Sequence, residues 1–223
     1  MPTRLQRRFA RAGDLGLSLG EFRRLAALDT PQKIQKFLNA IPINFEIGGE
    51  TLLSVREVLQ QNRAHCIEGA YVAAAALWVH GEPPYVMHLD CEISDFPHVI
   101  TLFKRGGCWG ALSKTNGAYL RYRDPVYRTL RELAISYFHE YFNKRGKKTL
   151  RSYSGAFDLR RIDPHLWVTN GSQCVEAHDR LRDLRHYDLI SRRQEKLVVR
   201  RDAFEMSASK MLQWPPPPKG GRR

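Results

Sequence analysis

No stretch of this chain stays apolar for the roughly 18–20 residues that a membrane helix needs, so no membrane partner is expected. The arginine-rich start (Arg4, Arg7, Arg8, Arg11) has no long apolar run behind it, so a secretory signal is not expected either. A mitochondrial presequence is the lesser reading, and a cytoplasmic location the leading one. Cysteine is scarce: the four are Cys66, Cys91, Cys108 and Cys174, and no pair has C-x-x-C spacing. Zinc and thioredoxin-like readings therefore fail, and without a signal a disulfide framework is not expected. Free thiols in a reducing compartment remain. H-x-x-x-H, paired-carboxylate and glycine-rich phosphate motifs are missing, so no metal and no cofactor is expected. Acidic residues are the minority, 23 Asp+Glu against 36 Lys+Arg, a net charge of +13. Such an excess attracts acidic partners, but it is spread along the chain without a nucleic-acid motif, so nucleic acid is not the expected partner.

Hydrophobic residues make up 43% of the 223 residues, enough for a packed core. Capping boxes at Ser18–Glu21 and Ser54–Glu57 open short helices, and Thr30-Pro31 opens another. Asn62 is placed to cap a helix from Arg63 to about Val79. From Ala70 to Leu77 that helix is apolar on every side, which predicts burial. Strands follow at Tyr85–Leu89, Val99–Phe103 and Trp109–Leu112, with Arg105-Gly106-Gly107 as a turn. Helical spacing recurs over Pro125–Phe142, and further helices are expected from Ser172 and Asp202. A strand at His165–Val168 and another at Lys196–Val199 are also candidates. Runs of helices, then strands, then helices predict an α+β fold with an antiparallel sheet. The expected organisation is a core over 1–153, a helical extension over 154–213, and a disordered Pro/Gly/Arg tail over 214–223.

Cys66 falls in the first turn of the buried helix, where unpaired N–H groups and the helix dipole stabilise a thiolate. Taken alone, a cysteine is more often a small core residue. His98 opens a strand that follows, and a thiol at a helix head with a strand imidazole is one solution for nucleophilic catalysis. His65 is expected to be exposed or to form a pocket wall, and Glu68 to serve the helix dipole. The tyrosines from Tyr119 to Tyr141 read as packing residues, and Arg192-Arg193 and Arg200-Arg201 as solvated charge.

The run Cys66-Ile-Glu-Gly-Ala, the alanine helix, Gly81-Glu-Pro-Pro, His98-Val-Ile-Thr-Leu-Phe, a Gly-Gly turn and Trp109 resembles the transglutaminase-like superfamily of the papain-like fold. The likeness covers about Asp29 to Lys114. Through Arg123-Asp-Pro-Val-Tyr-Arg-Thr-Leu-Arg-Glu-Leu the chain also looks like a bacterial family of small transglutaminase-like proteins. The resemblance implies a nucleophile at Cys66 and a general base at His98, acting on an amide, peptide or thioester. It suggests Gln60, six residues before the cysteine, as an oxyanion donor. The family's third triad member is an acid, but Ser113 stands at that position. The options, in order, are a Cys–His dyad, a shifted third member at Asn116 three residues on (with Asp95 and Asp124 behind it), or a relative that has lost activity. In that last case the fold would serve as a basic binding module for an acidic protein or RNA.

Overall fold

The computed structural model describes residues 8–217; the basic start at 1–7 and the end of the expected tail at 218–223 lie outside the described residues. The first helices form where their caps stand. The Ser18 hydroxyl accepts from the Glu21 N–H at the head of α2 (Leu19–Ala26), which follows the single turn α1 (Ala12–Leu15). Thr30 caps α3 (Pro31–Ala40), and Ser54 caps α4 (Val55–Gln61). Each buries one apolar side, Ile34 and Leu38 on α3 and Val55, Val58 and Leu59 on α4.

Asn62 does not open the next helix. It closes α4 in the left-handed region (φ 51°), which asparagine adopts more readily than most residues. The chain then runs extended, and α5 (Cys66–Val79) begins with the cysteine as its first residue. Every residue from Ile67 to Val79 is buried, as the all-apolar pattern predicts. Helices α2, α3 and α4 pack around α5 on one side and the sheet lies on the other.

The sheet has seven strands, all antiparallel. They are β1 (Tyr85–Cys91), β2 (His98–Arg105), β3 (Cys108–Leu112), β4 (Arg123–Tyr127), β5 (Leu150–Ser154), β6 (Phe157–Asp158) and β7 (His186–Asp188). The order is β4-β3-β2-β1-β5-β7, with β6 paired to β1. The β1–β2 register sets Leu89 opposite His98, so His98 opens β2 near the end of β1. The Thr101 hydroxyl donates to the Ala70 carbonyl at 2.8 Å, which locks β2 onto α5. The fold is thus α+β, with the cysteine helix packed on an antiparallel sheet.

Several expected elements differ. The helix read over Pro125–Phe142 begins as β4, and only α6 (Leu130–Ile135) and a 3-10 turn at Phe138–Glu140 are helical. Strand β4 is an edge strand, the one sheet position that tolerates Pro125. The region from 154 supplies β6 and β7 to the sheet besides α7 (Val175–Arg182), α8 (Arg192–Glu195) and α9 (Ala203–Ala208). No strand forms at His165–Val168: the 3-10 turn Pro164–Leu166 stands there instead, started by Pro164 and by the Asp163 side chain accepting from the His165 N–H. Lys196–Val199 is also not a strand. The expected tail begins in an ordered contact: Asn116 donates to the Trp214 carbonyl at 2.9 Å and accepts from its N–H at 2.8 Å. Among the described residues, no helix is long and apolar enough to cross a membrane.

Candidate active site

The head of α5 is built around one buried carboxylate. Glu68 stands in the first turn and accepts from the His65 N–H at 2.8 Å, closing the helix start. It also accepts from the Leu53 N–H at 2.9 Å, the Thr51 hydroxyl at 2.7 Å and the Asn44 amide at 3.2 Å. Its role therefore exceeds a dipole contact. It ties the 44–53 loop to the helix that carries the cysteine, with its lone pairs satisfied as burial requires.

His65 is the N-cap of α5 and has extended, non-helical dihedrals (φ −98°, ψ −167°). Its ring is therefore not directed away from Cys66 as it would be between successive helical residues. Its Nδ1 lies 4.0 Å from Cys66 Sγ, while its Nε2–H donates to the Thr51 carbonyl at 2.7 Å. Glu68 and Glu46 carboxylate oxygens stand 3.3 and 3.5 Å from Nε2. This corrects the expectation that His65 would be only a wall.

His98 is buried and lines the same cavity as Cys66, close enough to lower the thiol's pKa. Its Nε2 lies 2.8 Å from Ser113 Oγ. Ser113 donates its own proton to the Leu120 carbonyl at 2.5 Å, so it accepts from His98 Nε2–H. That assigns the proton to Nε2 and leaves Nδ1 as the ring's other nitrogen for proton exchange. Ser113 therefore occupies the third position as a neutral acceptor. Its backbone is fixed too: the Gln35 amide donates to the Ser113 carbonyl at 2.8 Å and accepts from its N–H at 3.0 Å. Leu120 has a positive φ of 57°, a sparsely populated state for a bulky residue. Its N–H is held by Glu140 at 2.8 Å, and Glu140 is paired with Arg123 at 2.6 Å.

Both imidazoles act on the thiol, and the thiol acts back on His65. Burial alone would raise the Cys66 pKa, but the hydrogen bonds and charges of His65 and His98 hold it well below the usual thiol value. Burial alone would lower the His65 pKa, but the thiolate, Glu68 and the Thr51 carbonyl raise it to about 9. Other thiols lack such neighbours. Burial and nearby carboxylates push Cys91 and Cys174 up to about 12. The Cys66 sulfur faces a cavity of about 280 Å³ lined by Ile43, Phe96, His98, Lys114, Asn116 and Tyr141, among others. Lys114 is buried and donates to the Leu38 carbonyl at 3.0 Å and to that of Ile41, so it caps α3.

Of the residues singled out in the sequence, Cys66 and His98 come together. Asn116 lines the cavity, but both ends of its amide are occupied by Trp214, so it does not orient His98. Gln60 is exposed on α4 with its amide 3.4 Å from Glu21, so the structure does not bring it to the thiol. Asp95 lines the cavity and accepts from the Thr149 hydroxyl at 2.5 Å, and Asp124 is exposed on β4; neither holds His98. His65, Gln35 and the acceptor role of Ser113 were missed. The adjacent His-Cys-x-Glu with its capping-box spacing was the available signal for the first. Among the described residues, no cluster of three or more His, Cys, Asp or Glu could hold a metal ion. Compared with known proteins, the chain matches no family model and shows no significant similarity to a curated protein.

Proposed function

We propose that the chain is a transglutaminase-like cysteine hydrolase or acyltransferase that acts on an amide, peptide or thioester. The observation that carries this reading is the Cys66 thiol at a helix head, sharing a cavity with an imidazole whose Nε2 is held by Ser113. The thiolate attacks the acyl carbon, forming a C–S bond, and negative charge develops on the carbonyl oxygen. The Cys66 N–H, at the first helical position, has no carbonyl four residues back within the helix and so can stabilise that oxygen. His98 gives its Nδ1 proton to the leaving group as the C–N or C–S bond breaks. Water or an amine then attacks the thioester while His98 takes back a proton. His65 stays protonated and supports the resting thiolate.

The reading as a degraded binding module drew on Ser113 standing where an acid is expected. A hydroxyl that accepts from Nε2–H orients the ring without a charge, which removes that support. The test uses p-nitrophenyl acetate as an activated acyl donor. The expected result is a burst of nitrophenol with one acetyl group on Cys66 by mass spectrometry. Cys66→Ala and His98→Ala should abolish it. Acetylation spread over several thiols, or unchanged in His98→Ala, overturns the reading.

A further inference from the structure

Strand β2 carries His98 at one end and Lys104 near the other, six residues on, roughly 20 Å away at ~3.3 Å per residue. Around Lys104 lies a second and larger cavity, about 690 Å³, which the thiol chemistry does not use. Its walls include Tyr85, Lys104, Trp109, Arg161, Arg185 and Tyr187, drawn from four strands, the 3-10 turn Leu159–Arg161 and the loop before β7.

Rings and cations alternate along this cleft. Tyr85 and Trp109 meet edge to face with centroids 6.3 Å apart. The Lys104 ammonium sits 4.4 Å from the Trp109 ring centre, and the Arg185 guanidinium 5.1 Å from that of Tyr187. The cleft's carboxylate, Asp158, is already neutralised by a two-pronged contact with Arg160, at 2.9 and 2.6 Å. Among the described residues, no carboxylate is paired with Lys104, Arg161 or Arg185. All three are exposed. Three cations without a carboxylate partner therefore stand beside aromatic rings, Lys104 and Arg185 each over one, in a hollow of ordinary ligand size.

We propose that this cleft is a nucleotide-binding site: a planar base packs on the Tyr85, Trp109 or Tyr187 ring, and its phosphate sits among Lys104, Arg161 and Arg185. Stacking on aromatic faces and pairing of phosphate with arginine are the two interactions that this combination supplies together. An acidic peptide would use the cations and leave the rings idle. The chain's sequence gave no nucleic-acid motif because these residues meet only through the sheet. A free nucleotide and a residue of a single strand offer the same chemistry, and the experiment separates them.

The experiment follows the anisotropy of a short fluorescein-labelled oligouridylate titrated with the full chain across a range of salt. Uridine monophosphate and polyglutamate serve as competitors. The expected result is saturable binding weakened about 10-fold or more by Tyr187→Ala. Arg161→Ala with Arg185→Ala should lower the salt slope by about 1.4. The charge-matched control, Arg192→Ala with Arg193→Ala, removes two exposed cations on α8 outside the cleft and should change little. Displacement by uridine monophosphate assigns the site to a free nucleotide; binding that resists it assigns the site to a single strand. Cys66→Ser should leave this binding unchanged, so the outcome is independent of the catalytic reading. Lack of binding, equal losses in the control pair, or equal displacement by polyglutamate overturns the proposal.

Discussion

Two histidines, His65 half-buried and His88 buried, ionise in opposite directions here, and their surroundings explain why. His65 sits between a thiolate and the Glu68 carboxylate, and its pKa rises to about 9. His88, on β1, faces another imidazole: its Nδ1 lies 2.8 Å from Nε2 of His186, and the rings meet edge to face. Burial and the His186 charge lower the His88 pKa to about 4. Both rings are removed from water, so desolvation pushes both down. An anion at one and a second base at the other decide the outcome. Reactivity follows: only the first pair has a thiol to activate.

The largest expected effect lies at that thiol. At mildly acidic pH, iodoacetamide should alkylate Cys66 about 100-fold faster than Cys91 or Cys174, because only a thiolate reacts. Peptide mapping after timed quenching measures the ratio. His65→Gln should move the pH midpoint of Cys66 alkylation upward, since it removes one of the two imidazoles that lower the thiol's pKa. An unmoved midpoint would make His65 a bystander and reduce the two histidines to packing variants. Ser113→Ala should slow acylation about 10²-fold through loss of ring placement. The Cys66 alkylation midpoint should move less than in His65→Gln, because the His98 ring is still present.

The stability of the fold against acid tests the other half. His88 has a folded value below its unfolded one, so below about pH 6.5 the unfolded chain takes up a proton that the folded chain refuses. Stability then falls with pH, by up to about 3 kcal/mol near pH 4. Cys66 contributes in the same direction, because its folded value is also depressed. His65 has the opposite sign: its stabilisation is complete below about pH 6.5 and fades as pH rises through about 9. Between roughly pH 6.5 and 9, Cys66 and His65 nearly cancel, since thiolate plus imidazolium binds one proton, as does thiol plus imidazole. Urea unfolding across pH should therefore show a flat neutral region and an acid slope. His88→Gln should remove one part of that slope and Cys66→Ser another. A His88→Gln variant with the full acid slope would remove the contrast between the two rings.

The helix head was legible because its cues are local: a thiol before an unbroken apolar helix, and a histidine opening a strand. Ser113 was not, because it was judged by charge, whereas the ring needs only an acceptor oxygen. His65 escaped because neighbours within a helix diverge, a rule that stops at the N-cap. Gln60 was misplaced because an offset along the chain does not state which face of α4 the residue occupies. In the fold, α2 to α4 could be read from caps, β1 to β3 from periodicity and turns, and α5 from its apolar run, though its cap was placed at Asn62 and is His65. The short strand β7 is His-Tyr-Asp, with no alternating apolar face, and becomes a strand only because β5 offers an unpaired edge. The apolar spacing after Pro125 fits a helix on paper, but Thr129 with Glu132 caps a new start four residues later.

A smaller effect probes how tightly the helix head is held. A Cβ at Gly69 would lie 2.5 Å from Lys114 Cβ, and both are backed by structure that cannot easily give. Gly69→Ala should therefore cost about 1–3 kcal/mol through overpacking. The melting temperature should fall by several degrees while the Cys66 alkylation midpoint stays fixed. A change in midpoint without a change in melting would show that Lys114 couples to the thiol more directly than through α3.

The smallest expected effect is at Gln60. Its amide is exposed and reaches only Glu21, which already binds Arg56 at 3.1 Å and the Ser18 N–H at 2.8 Å. Removing one more donor from a satisfied, surface carboxylate should change stability by no more than about 0.5 kcal/mol. Gln60→Ala should also leave the acylation burst within about twofold, since loss of a true oxyanion donor costs about 10²–10³. A loss of that larger size would mean that α4 turns toward the thiol when an acyl donor binds, and the contrast between the two histidine environments would then describe only the unliganded chain.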